Sequence, residues 1–121
     1  MSVVDEVITE NETKLKQNEE LLNELREKFL KLCDTITAVD EKCTKIANKL
    51  KNRKGIFSAL GKKIDASRLT DLLLKFKICN KKAKAIKKEI EELENKIDYQ
   101  NDQLEGLYNI KASQKNDGLE M

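Results

Sequence analysis

Residues 52–68 read NRKGIFSALGKKIDASR, and where the chain bends within them decides whether the protein is one continuous rod or a folded hairpin. Gly55 and Gly61 stand among Ile56, Phe57 and Leu60 and among Arg53, Lys54, Lys62 and Lys63. A phosphate loop is the first reading to set aside. The two glycines are one residue too far apart for G-x-x-x-x-G-K-[ST], Lys63 stands where Ser or Thr is needed, and no strand precedes them.

Outward from this stretch the apolar residues repeat every seven positions, in two registers. Before it, Ile8, Leu15, Leu22, Phe29, Ile36, Cys43, Leu50 and Phe57 occupy position a. Val4, Asn11, Asn18, Leu25, Leu32, Val39, Ile46, Arg53 and Leu60 occupy position d. After it, Leu69, Phe76, Ala83, Ile90, Ile97 and Leu104 are at a, and Leu72, Cys79, Ile86, Leu93, Gln100 and Leu107 at d. A sustained a/d repeat is the signature of a coiled-coil helix. The second register is out of phase with the first, so the break falls between Leu60 and Leu69.

Gly55 lands at f, on the outer face, where glycine lowers helix propensity by about 1 kcal/mol without a clash. Gly61 directly follows Leu60, the position suited to a left-handed C-terminal cap. Asp65 can cap the next helix, with Ile64 and Leu69 forming a hydrophobic staple. The spacing therefore predicts an all-α protein, a long helical hairpin or coiled coil. Helix one runs over about 3–60, the turn over 61–65 and helix two over about 66–111, with 112–121 a disordered tail.

Folding at that turn predicts layers in which Leu25 faces Leu104, Leu32 faces Ile97, Ile36 faces Leu93 and Val39 faces Ile90. Cys43 then faces Ile86, Ile46 faces Ala83, Leu50 faces Cys79, Phe57 faces Leu72 and Leu60 faces Leu69. Some seventeen residues at the amino end would overhang. Asn11 and Asn18, at successive d positions, either fix register or belong to a fraying end; Gln100 and Arg53 are further polar seam residues.

Composition agrees with long helices. Of the 121 residues 38% are charged and 4% aromatic, and proline is absent. Such a chain is too polar, and too poor in large side chains, for an ordinary globular core. Histidine is absent and the three cysteines, Cys33, Cys43 and Cys79, have no paired spacing. A cysteine–histidine catalytic pair is excluded on this basis, a zinc site and a disulfide framework are disfavoured, and the cysteines are expected to be small core or near-core residues in a reducing compartment. No acid–base or nucleophile constellation points to an enzyme, and none to a cofactor. The beginning, MSVVDEVITENE, is acidic rather than signal-like, and no apolar run nears the ~20 residues of a membrane span. The expected setting is cytoplasmic.

Charge is banded. Residues 1–40 carry 5 basic and 10 acidic side chains, 41–88 carry 16 and 3, and 89–121 carry 3 and 9. A hairpin sets like against like, which costs stability even under physiological screening. Apolar residues also spill beyond a and d at Leu21, Leu30, Ala47, Ile56, Leu73, Leu74 and Ile78. That stripe is wider than a two-helix seam, so partner helices are expected to complete the bundle.

The residues expected to form the partner-helix interface are Leu22, Leu25, Phe29, Leu32, Ile36, Val39, Leu72, Leu73, Phe76, Ile86, Ile90, Leu93, Ile97 and Leu104. The basic turn region comprises Lys51, Arg53, Lys54, Lys62, Lys63 and Arg68. The basic band has several readings: a solvated lysine face, an acidic protein surface such as a partner helix, or an anionic membrane. Nucleic acid is disfavoured because Phe57 and Phe76, the aromatics of the band, are taken up by heptad positions.

The segment KIDASRLTDLLLKFKICNKKAKAIKKEIEELENKI, residues 63–97, places an aspartate-containing break ahead of a lysine-rich heptad helix. In this, and in chain size, it resembles the pallidin- and snapin-like small coiled-coil subunits of the biogenesis of lysosome-related organelles complex. The resemblance implies a subunit of an elongated assembly in endosomal traffic and organelle biogenesis, paired with other coiled-coil proteins as a hetero-oligomer or homo-oligomer. The competing expectation is a spindle or kinetochore coiled-coil subunit meeting acidic tubulin through its basic region.

Overall fold

A computed structural model describes the backbone of residues 2–52 and 58–120 and the side chains of 2–52 and 59–114. Helix α1 spans Val3–Asn52 and helix α2 spans Ser58–Glu120. The two pack antiparallel as a helical hairpin, and no strand occurs among the described residues.

The start of α1 is written locally. Ser2 Oγ accepts the Asp5 backbone N–H at 3.2 Å and donates to Asp5 Oδ2 at 3.0 Å, a reciprocal cap that satisfies an otherwise orphan donor. Asp5 and Glu6 in the first turn and Lys49 and Lys51 in the last complement the helix dipole. Threonine is a mediocre helix former, but Thr9, Thr13, Thr35, Thr37, Thr44 and Thr70 each donate their hydroxyl to the carbonyl four residues earlier.

The heptad reading places the right residues inside, except that Leu60, expected at d against Leu69, is 63% exposed. Every a and d residue described in α1, from Val4 to Leu50, is buried or half-buried, and so is every one in α2 from Leu69 to Leu107. Few other positions share that burial. Ile8, Leu22, Val39, Cys43, Cys79, Ala83, Leu93, Ile97 and Leu104 are the most enclosed apolar residues, and no described side chain is fully shut off from solvent.

The turn and the axial offset differ from expectation. Residues 61–65 lie inside α2, which begins at Ser58, and residues 53–57 lie outside the described residues. The expected roles of Gly55, Arg53, Lys54 and Phe57 fall there too. Gly61 does not end a helix, because its roughly 1 kcal/mol propensity cost is small beside the continuation of a long helix. Asp65 is not an N-cap: it stands one heptad before Leu72, is buried and is partnered. Ile64 is half exposed at 50% and cannot staple. The chain at 112–120 continues α2 rather than forming a disordered tail. It contains no proline, and propagating an existing helix needs no new nucleus.

Contacts divide the chain into two units, 1–26 with 88–121 and 27–87. In the first, Leu22 clusters with Leu93 and Ile97, flanked by Leu15, Leu25 and Ile90. Leu93 and Ile97 thus lie against Leu22, where the expected layers had Ile36 and Leu32. The physical reason is that sliding one helix by one and a half to two heptads, as here, still returns apolar residues to apolar seats, so the repeat chooses the face but not the offset. The amino end does not overhang either: Lys111 Nζ lies 2.8 Å from Asp5 Oδ1.

Candidate functional site

Polar residues of the first unit settle its alignment. Asn18 donates its side-chain amide to Gln100 Oε1 across the seam at 2.9 Å, both groups being half-buried. Asn11 instead donates to its own helix, at the Val7 carbonyl, 2.8 Å away. Of the two asparagines, then, Asn18 carries the register and Asn11 is satisfied locally. Arg26 reaches Glu94 at 3.3 Å. In this unit the sequence carries 7 basic and 16 acidic residues, and Lys111 and Arg26 each answer a carboxylate of the opposing helix.

The Lys111 ammonium, then the Ser2 hydroxyl, hold the Asp5 carboxyl below the ordinary aspartate range, and Asp5 in turn raises the Lys111 pKa. Tyr108 is pushed up by partial desolvation and by its hydrogen bond with Glu12.

The second unit is the opposite in charge. Residues 27–87 carry 17 basic and 6 acidic side chains, so the two units together account for the chain's 24 and 22. Its seam is built from Leu32, Ile36, Val39, Cys43, Ile46 and Leu50 of α1 and from Leu69, Leu72, Phe76, Cys79, Ala83 and Ile86 of α2. The cysteines are free thiols: Cys43 and Cys79 are buried in the seam and Cys33 is half-buried beside it.

Because two helices cannot enclose an apolar stripe on their own, the seam of this unit opens into grooves on both flanks. On the g side Leu32, Ala85 and Ile86 floor a groove of about 460 Å³ rimmed by Lys28, Lys31 and Lys82, with Thr35. On the e side Phe29, Cys33, Ile36 and Ala83 floor one of about 320 Å³ with Thr37, Asn80, Lys84 and Lys87 at its edge. Phe76 floors an adjoining hollow beside Lys77, Asn80, Lys81 and Lys84. No carboxylate lines any of the three. The comparable hollow of the first unit, among Val7, Asn11, Gln103, Leu107 and Ile110, has no cationic rim.

Of the interface residues expected from sequence, all but Leu73 are buried or half-buried within their unit; Leu73 is 52% exposed. Of the basic set, Lys51 closes α1, while Lys62, Lys63 and Arg68 are exposed along α2 rather than in a turn. Arg53 and Lys54 lie outside the described residues. Sequence reasoning missed the groove lysines Lys28, Lys31, Lys82, Lys84 and Lys87 as a group. Their signal was available, since on each helix they recur beside the seam at e, g, b or c positions.

Among the described residues, no group of three or more His, Cys, Asp or Glu side chains stands together to hold a metal ion. Nor is any helix there long and apolar enough to cross a membrane. The architecture is that of a coiled-coil helical hairpin whose basic unit presents lysine-rimmed apolar grooves. No family model, no curated protein and no solved structure matches the chain.

Proposed function

We propose that the protein is a non-enzymatic, helix-pairing subunit of a multi-chain assembly, and that its basic unit receives acidic amphipathic helices of partner chains. The observation that carries this reading is the pair of grooves flanking the seam at 27–87, apolar in floor and cationic at the rim. Apolar floors supply the area that a third or fourth helix buries, and lysine rims select helices bearing Glu or Asp beside their apolar stripe. Assemblies of this kind include those formed by the small organelle-biogenesis subunits, and endosomal traffic is the cellular setting this reading favours.

Cross-linking of the purified assembly tests it. Lys28, Lys31, Lys82 and Lys84 should link to acidic helical segments of co-purifying chains. Lys28→Glu/Lys31→Glu/Lys82→Glu, all on an exposed rim, should abolish those links while leaving helicity unchanged. A partner set indifferent to this reversal, or a chain recovered as a lone, sharply melting monomer, refutes the proposal. Co-purifying endosomal coiled-coil subunits would support the cellular setting; salt-sensitive binding to polymerised tubulin would move the protein to the spindle instead.

A further inference from the structure

A two-helix coiled coil should be polar at c and f, the positions opposite its seam. Helix α2 breaks this rule in the basic unit: Leu60, Ile64, Leu74 and Ile78 fall at f, c, f and c and are 63%, 50%, 59% and 48% exposed. Their spacing is itself heptad. Taking Ile64, Asp71 and Ile78 as a positions of a second repeat puts Leu60, Ser67 and Leu74 at d. β-branched residues at a with leucine at d are the choice that favours two parallel strands, and a polar residue inside such a seam fixes register at some cost in stability.

The flanks of this second repeat say what it pairs with. Its e positions include Arg68 and Lys75 and its g positions Lys63 and Lys77, all exposed. A second copy of the chain, laid parallel, would bring lysine against arginine along both edges and Asp71 against Asp71. Both juxtapositions are repulsive. A helix with Glu at e and g, and with a cation at the a position facing Asp71, meets every one of these requirements.

We propose that the outer face of α2 over residues 60–78 is a second coiled-coil seam, which binds in parallel a heptad helix carrying acidic flanks and a lysine or arginine opposite Asp71. Leu60, Ile64, Asp71, Leu74 and Ile78 line none of the grooves, and of the flanking residues named only Lys77 also borders the Phe76 hollow, so what this seam binds can be separated from what the grooves hold.

The test uses the full chain and synthetic three-heptad peptides with Ile at a and Leu at d, read by fluorescence anisotropy. A peptide with Glu at e and g and Lys at the central a position should bind. Exchanging its flanks for lysine should weaken binding by tenfold or more. Leu74→Gln/Ile78→Gln should abolish binding while circular dichroism stays unchanged, since both residues are exposed. Asp71→Lys should invert the preference, favouring the peptide with Glu at its central a position; in an antiparallel pairing that position would face a d residue and no inversion would follow.

Binding that survives Leu74→Gln/Ile78→Gln, or that is lost on Lys28→Glu/Lys31→Glu/Lys82→Glu, would place the peptide in the grooves and overturn the inference. Sedimentation of the chain with phosphatidylserine vesicles through Leu74 and Ile78, without peptide binding, would assign the face to membrane and overturn it as well. Self-association through the same two residues would do the same in favour of a second copy.

Discussion

Replacing the Asn18–Gln100 pair by leucine should make the hairpin more stable and less certain of its own alignment. Both side chains are half-buried at d positions and share one hydrogen bond of 2.9 Å. A leucine at each site would recover about half of the ~1.5–3 kcal/mol available to a fully buried leucine, or about 1 kcal/mol. The lost hydrogen bond is worth about 1 kcal/mol net. Asn18→Leu/Gln100→Leu should therefore gain about 1 kcal/mol. Either single replacement strands a half-buried amide, at a cost of about 1–2 kcal/mol, and so ends between neutral and about 1 kcal/mol destabilised. The coupling between the sites is then about 1–3 kcal/mol, read from urea denaturation of the four proteins followed by circular dichroism. Effects that simply add would refute the reasoning, because the two amides would then not depend on each other.

Two further predictions follow from the first unit. In a cysteine-free background, cysteines at Asn18 and Gln100 should cross-link within one chain, whereas cysteines at Leu25 and Leu104 should not; Leu104 lies one heptad, about 10 Å, past Ile97. Efficient Leu25–Leu104 linkage would restore the alignment expected from sequence. The Asp5 carboxyl, followed by nuclear magnetic resonance, should titrate below the ordinary aspartate range, and Lys111→Gln should return it toward that range. Because the folded-state pKa is depressed, the stabilisation from Asp5 is complete above its unfolded value and is lost as pH falls through the lower folded value. The Lys111 side is the mirror image, present below its unfolded pKa and lost as pH rises through the raised one. An Asp5 midpoint untouched by Lys111→Gln would disprove the coupling.

What could be read from the chain was the face of each helix. Side-chain periodicity is a local property, and Leu22, Val39, Ala83 and Ile97 sit inside as their positions require. The axial offset is a property of two helices together, and the heptad repeat is nearly blind to it. Leu93 finds an equally apolar seat on Leu22 as on Ile36, so the choice falls to polar residues such as Asn18 and Gln100. Gly61 and Asp65 misled because each is a good boundary residue taken alone. In this chain glycine is carried by a long helix and aspartate is taken into the seam with a partner.

Leu74 and Ile78 could be recognised from sequence as apolar spill, and their exposure shows that the hairpin itself does not cover them. Their common phase with Leu60 and Ile64 becomes visible once the helix is known to begin before Gly61. A turn at 61–65 would have cut that repeat in two. The heptad positions of the groove lysines place them beside the seam, but which of the many basic residues border one floor together depends on the offset between the helices.

No described side chain, even in the seam, is wholly withdrawn from water. A protein built this way has little reserve of its own, and anything that binds only the folded chain raises its stability by mass action. Its lifetime in a cell would then follow the supply of its partners. Copies made in excess would remain the more open to proteases, so that degradation, rather than regulated synthesis, would match the number of chains to the number of complexes.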